Sequence, residues 1–315
     1  MTFHFRQAIK SQAKPLVGLY SESGCGKTLS ALYLALGFTG DGEKIGMIET
    51  EAGRGEAYVN SKEFPHNYNV LSLRDDFCPK NYNAAIKAAE AEKLQALIID
   101  SASHEWEGAG GVLSMAAKNQ EDGKKGPLVW QRPKMDHQSL FMLPLLQTSI
   151  PLVIVCMRAK YLMEEVVKDG KKEWARSKEL SPKQSEDILF EMFVHGWIGK
   201  DHKFHGTKYT LGELRQIIVD GEPIGIETGK RLSQWAAGGA PKQESLKPTS
   251  TSPASAPSGA PAYVTADQAL ELEALCVERD LVKAFKEQAE VLRFAQVLAE
   301  DYEGAKKWII KRAKP

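Results

Sequence analysis

The chain has 315 residues, 43% of them hydrophobic, and its 41 basic residues balance 41 acidic ones. That length and apolar content suffice for one large domain and a smaller one, which excludes disorder as the main state. The zero net charge excludes a global field that would draw the chain to nucleic acid or anionic lipid, so any basic surface has to be local.

The opening "MTFHFRQAIKSQAK" holds no apolar run of signal-peptide length. Leu16 to Tyr20 then predicts a buried strand that feeds the loop Ser21-Glu22-Ser23-Gly24-Cys25-Gly26-Lys27-Thr28. Leu29, Leu32 and Leu36 mark one face of a following helix, expected to stop near Gly37. Against the phosphate-loop pattern G-x-x-x-x-G-K-[ST], the loop departs only at Ser21. The chemistry behind the pattern remains. Backbone N–H groups from Glu22 to Leu29 can curl around phosphate oxygens, Gly24 and Gly26 permit close approach, Lys27 neutralises phosphate charge, and the Thr28 hydroxyl can hold magnesium. The expected ligand is ATP or GTP with Mg2+.

A second strand, Lys44 to Ile48, leads into "ETEAGRGEAY" and would bring Glu51 to the same sheet edge, where a carboxylate can take a proton from water. Glu49 is an alternative one alternation away, and Glu105 and Glu107 are others. After a strand at Val70 to Leu73 and a helix at Asn83 to Leu94, the strand Ala96 to Ile99 ends in Asp100, the type of carboxylate that positions magnesium at a phosphate site. Ser101 follows it, so no glutamate adjacent to Asp100 orients the water.

The apolar run Ser139 to Met157 contains two prolines and Gln147-Thr148-Ser149, which predicts a helix end, a turn and a buried strand at Leu152 to Met157 rather than a membrane span. Beyond it come a turn at Asp169-Gly170 and an antiparallel ribbon in "EMFVHGWIGKDHKFHGTKYT". The predicted body, residues 1–236, is therefore α/β, with a mostly parallel sheet covered by helices and with terminal β-hairpins. Residues 237–262 are rich in proline, serine and alanine and read as a flexible linker. Residues 263–315 read as a small helical bundle, with Thr265 and Gln268 forming a capping box and Leu272, Leu275, Phe285, Leu292, Val297, Trp308 and Ile309 at helical spacing.

Two segments combine cations with an aromatic residue. Gly108 to Lys134 carries Lys118, Lys124, Lys125, Arg132 and Lys134 with Trp130, and its glycines suggest a mobile loop. Lys168 to Lys183 carries Lys168, Lys171, Lys172, Arg176, Lys178 and Lys183 with Trp174. Such segments can track a single strand and stack a base, although solvated lysines are an equal explanation for either one alone. His195, His202 and His205 fall on the ribbon without a metal-ligand pattern, and Ser101-x-Ser103-His104 lacks the setting of a nucleophile and base. Cys25, Cys78, Cys156 and Cys276 lie far apart, which favours a reducing cytoplasm over a disulfide or zinc framework.

Together "SESGCGKT", "IETEAGRG", "ALIIDSASHEWEG" and "VIVCMRAKY" resemble the RecA-like, AAA-domain nucleotide-binding ATPases of bacteriophages, a group that includes Sak-type single-strand annealing proteins. The resemblance covers Leu16 to about Trp235 and none of the tail. It implies a RecA-like fold, a catalytic role for Glu51 and a γ-phosphate-sensing role for Arg158 and Lys160. It also implies ATP buried between subunits of a homo-oligomer, with a cation such as Lys208 supplied by a neighbour. The activity implied is ATP hydrolysis with single-stranded DNA in recombination, annealing or replication, in a host cytoplasm. An alternative is a nucleotide-gated adaptor whose C-terminal bundle grips a protein partner across the linker.

Overall fold

A computed structural model describes residues 13–168, 171–238, 268, 271, 272, 275, 276, 285 and 302–311. The chain divides into two compact units, Met1–Gln243 and Glu244–Pro315. The first unit is α/β, with strands β1 (Leu16–Ser21), β2 (Ile45–Glu49), β3 (Asn69–Ser72), β4 (Ala96–Asp100), β5 (Leu152–Lys168), β6 (Lys171–Pro182), β7 (Val194–Ile198) and β8 (Phe204–Tyr209). Its helices are α1 (Lys27–Thr39), α2 (Pro79–Ala91), α3 (Ser103–Glu107), α4 (Val112–Glu121), α5 (Leu128–His137), α6 (Leu143–Gln147), α7 (Glu186–Glu191), α8 (Gly212–Ile217) and α9 (Ile226–Ala236).

The sheet order is β3-β2-β4-β5-β1-β7-β8, with β6 paired to β5 off this path. All neighbours from β3 to β7 run parallel, whereas β7/β8 and β5/β6 are antiparallel. Strand alternation sends side chains to two separate cores, as a sheet covered on both faces requires. From β1, Val17 and Leu19 join Leu32, Leu34 and Trp235 beneath α1 and α9, while Leu16 and Tyr20 join Tyr82, Ile86 and Phe141 beneath α2. β4 and β5 divide the same way, so their unbroken apolar runs are buried on both sides.

The register brings several strand ends to one edge. Ser21 lies opposite Arg158, Glu49 opposite Asp100, and Asp100 opposite Cys156. The C-terminal ends of β1, β2 and β4 and the point where β5 leaves the sheet therefore meet. β5 then continues into a hairpin with β6, paired from Ala159/Pro182 to Lys168/Lys171 and interrupted by a bulge between Tyr161 and Met163. At the usual rise per residue this arm is roughly 30 Å long. The turn predicted at Asp169-Gly170 lies outside the described residues.

Three expectations need correction. Helix α1 does not stop near Gly37 but runs to Thr39, capped by Gly40 at φ 69°. Gly37 is an interior contact, since a Cβ there would meet the Ile226 carbonyl oxygen at 1.9 Å, and one on Gly229 would meet the Leu34 carbonyl oxygen at 2.2 Å. The body does not end in hairpins, because α8 and α9 follow β8 and α9 crosses α1 at that glycine pair. Gly108 to Lys134 is not a loop but chiefly two helices, α4 and α5, with Gly111 as the N-cap of α4 and Gly123 and Gly126 between them. Replacing Gly229 with alanine is expected to force α9 off α1 and cost about 1–3 kcal/mol by overpacking. Chemical denaturation read as a shift in midpoint checks this.

The run Ser139 to Met157 begins within a π-helical turn, Gln138–Met142, and continues through α6 into the start of β5. Among the described residues no helix is long and apolar enough to cross a membrane. In the second unit, α10 (Tyr302–Lys311) packs Tyr302 and Ile309 with Leu272, Cys276 and Phe285. Residues 239–262 of the predicted linker, with Thr265, Leu292 and Val297, lie outside the described residues.

Candidate active site

The loop between β1 and α1 folds over the converging strand ends. Gly24 and Gly26 hold left-handed φ values of 84° and 90°, which suit glycine and disfavour other residues. Gly26 is the N-cap of α1 and has no side chain to cap it, and the first turn contains no acidic residue. The first amide groups of the helix thus face outward as a positive helix end. Ser21, the one departure from the loop pattern, is the buried last residue of β1 and needs no positive φ. The Cys25 side chain is buried with the α1 core, and its carbonyl accepts a hydrogen bond from His202 Nδ1 at 3.0 Å. That bond straps the β7–β8 turn onto the loop.

Beneath the loop, Lys27 Nζ forms an ion pair with Asp100 Oδ1, and the Thr28 hydroxyl donates to Asp100 Oδ2 at 2.5 Å. Burial by itself disfavours the Lys27 charge, but the Asp100 carboxylate more than offsets this and raises the ammonium above the ordinary lysine range. Lys27 is therefore cationic throughout the physiological range. Thr28 and Asp100 present two hard oxygen donors side by side, a set that could hold Mg2+ if further oxygen donors completed the shell. Among the described residues no cluster of three or more His, Cys, Asp or Glu side chains offers a ready-made metal cage.

The four candidate acids have different surroundings. Glu49 is buried, and its carboxylate accepts from the backbone N–H groups of Glu51 and Gly53, at 2.7 Å and 3.1 Å, and from Arg74 at 2.8 Å. These bonds shape the turn that carries Glu51. Glu105 is fully buried between His137, at 3.0 Å, and Gln184, at 3.2 Å, so it ties α3 to α5. Glu107 pairs with Lys183 at 3.0 Å. Glu51 alone of the four lines the cleft above the loop, 3.6 Å from Arg54 and 3.8 Å from Arg158 Nε.

That cleft has a volume of about 940 Å3, ample for a nucleotide. It is lined by the loop from Ser21 to Leu29, by Glu51 and Arg158, and by Arg54, Ala57, Tyr58 and Glu63. Every predicted binding residue from Glu22 to Leu29 lines it. Lys160 does not: it is exposed on the hairpin beyond Arg158, because β5 has left the sheet by that point. Lys183, at the hairpin's base, lines the cleft in its place, with its backbone N–H bonded to the Arg158 carbonyl at 2.7 Å. Lys208 is committed within its own chain, donating to the Leu189 and Phe190 carbonyls at the end of α7.

Among the lining residues not expected from the sequence are Arg54, Tyr58 and Glu63, and the more distant His202 and Lys183. The last two are far from the loop in sequence. Each reaches the cleft through strand pairing, which no local pattern signals. His195 and His205 stay outside it, the first buried on β7 and the second stacked on Trp197 at 4.0 Å. Of the two basic segments, α5 uses Arg132 in an ion pair with Asp136 at 2.8 Å, and the hairpin uses Lys172 in one with Glu165 at 2.6 Å while exposing Trp174 and Met163. Compared with known proteins, the chain matches no protein-family model and no curated protein.

Proposed function

We propose that the chain is a magnesium-dependent ATPase of RecA-like build that acts with single-stranded DNA. The observation that carries this reading is the joining of Lys27 and Thr28 to Asp100 under a glycine loop, with Glu51 and Arg158 facing the same cleft. The α1 amides and Lys27 bind the phosphates, and Thr28 and Asp100 hold the metal. Magnesium bound there neutralises charge on the transferred phosphoryl group. Glu51 takes a proton from the attacking water as its oxygen bonds to the terminal phosphorus and the bond to the diphosphate breaks. Arg158 meets the negative charge that builds on the phosphoryl oxygens.

The β5–β6 hairpin starts at Ala159, the residue after Arg158, so a strand bound along its arm would bear on the segment that carries the cation of the cleft. Trp174 is 69% exposed and offers a face on which a base can stack. ATP hydrolysis measured with and without single-stranded DNA tests the reading, and stimulation by DNA is the expected result. If about five phosphates are contacted, DNA affinity should fall about a hundredfold between about 50 and 200 mM salt, with a log–log slope of about −3.5. Absence of DNA binding together with DNA-independent turnover would remove the DNA part and leave the ATPase.

A further inference from the structure

Arg158 is held at both ends by consecutive residues of α3. Its backbone N–H donates to the Ser103 hydroxyl at 2.9 Å, and its guanidinium Nη1 lies 3.3 Å from His104 Nε2. A guanidinium can only donate, so Nε2 is the acceptor and the ring proton sits on Nδ1. That nitrogen faces the Thr50 hydroxyl at 2.7 Å. Thr50 Oγ1 also accepts the Ser101 N–H at 2.8 Å and passes its own hydrogen to the Ser101 carbonyl at 3.3 Å. Along Ser101–Thr50–His104–Arg158 the Ser101 N–H, the Thr50 hydroxyl, the His104 Nδ1–H and Arg158 Nη1 thus each have an acceptor, and the imidazole is neutral. Phe77 stacks on the ring at 4.9 Å and fixes its plane. Burial and the Arg158 charge both depress the basicity of His104 and keep it in this form.

We propose that His104 is the positioning residue for Arg158, an uncharged acceptor that fixes the guanidinium at the cleft while leaving its charge for an anion there. A carboxylate in the same place would orient Arg158 equally well but cancel its charge. Glu51, the nearest carboxylate, stands 3.8 Å from Nε, an ion pair without a hydrogen bond, so it does not fix the direction of the guanidinium. The chain begins at Ser101, next to Asp100, so the arrangement couples the metal-side strand to the cation of β5. This inference rests on the ATPase reading above.

The test uses the full chain as wild type, His104→Phe, His104→Gln, Arg158→Ala and the His104→Phe/Arg158→Ala double variant. Phenylalanine keeps the ring against Phe77 but removes the acceptor, whereas glutamine can place a carbonyl oxygen near the Nε2 position. His104→Phe should lower kcat about tenfold, the scale of one hydrogen bond to a charged group, with KM little changed. His104→Gln should recover most of the rate, and the double variant should be no slower than Arg158→Ala. Full activity in His104→Phe, or losses that multiply in the double variant, would overturn the assignment. Nitrogen NMR of the His104 ring supplies a readout independent of turnover. The Nδ1–H tautomer, with an Nε2 resonance that moves in Arg158→Ala, is expected. A wild-type chain without turnover would sink the ATPase reading, whereas an Nε2 resonance indifferent to Arg158 would sink this one alone.

Discussion

Replacing Glu51 with glutamine is expected to lower ATP turnover by about 10²–10⁴, the usual worth of a general base, while leaving Mg-ATP affinity near wild type. Glu51 lines the cleft but makes no bond that holds the loop, and its salt contacts to Arg54 and Arg158 are long, at 3.6 Å and 3.8 Å. An amide of the same shape keeps the packing and removes the basicity. Glu49→Gln should behave in the opposite sense. Its carboxylate is buried against Arg74 and two backbone amides, so the loss should appear as reduced stability before any direct effect on chemistry. Single-turnover hydrolysis together with equilibrium binding separates these outcomes. Equal turnover in wild type and Glu51→Gln would remove Glu51 from the chemistry.

The Lys27→Met variant is expected to lose about a hundredfold or more in Mg-ATP affinity, because one charged phosphate contact and its field vanish together. It should also unfold more readily. Lys27 and Asp100 side chains are only 10% and 5% exposed, and removing one member of a buried pair leaves the other uncompensated. Losses of that kind reach about 3–5 kcal/mol, and the bond from Thr28 to Asp100 should keep the value toward the lower end. A Lys27→Met/Asp100→Asn double variant removes both charges. It should regain much of the stability without regaining nucleotide, which distinguishes the structural share of the pair from its share in binding. Urea unfolding and calorimetry on the single and double variants measure the two shares.

The parts of the site that local sequence could reveal are those lying where an apolar strand meets a chemical group. Lys27 and Thr28 follow β1 through a glycine loop, and Asp100 closes β4, so strand, turn and charge are adjacent in the chain. The choice between Glu49 and Glu51 was not legible in this way. It depends on a turn with Ala52 at φ 59° and Gly53 at φ 90°, which directs one carboxylate inward and leaves the other at the cleft. The exchange of Lys160 for Lys183 depends on β5 leaving the sheet just after Arg158, and apolar patterning does not mark where a strand changes partners. His202 reaches the loop only because β7 pairs with β1. The glycines between Gly108 and Gly126 suggested a loop because their number outweighed the modest apolar pattern of α4 and α5, yet in place they bound those helices. Ser103 and His104, unconvincing as a nucleophile and base, have a different use: both hold Arg158.

A magnesium nucleotide seated on the loop beside Lys27 and Asp100 is the central requirement of the proposed function. Calorimetric titration of the wild-type chain with ATP, with and without Mg2+, tests it most directly. Saturable uptake that requires magnesium and is lost in Lys27→Met is the predicted result. Heat that never saturates, or uptake that Lys27→Met retains at full strength, would contradict it.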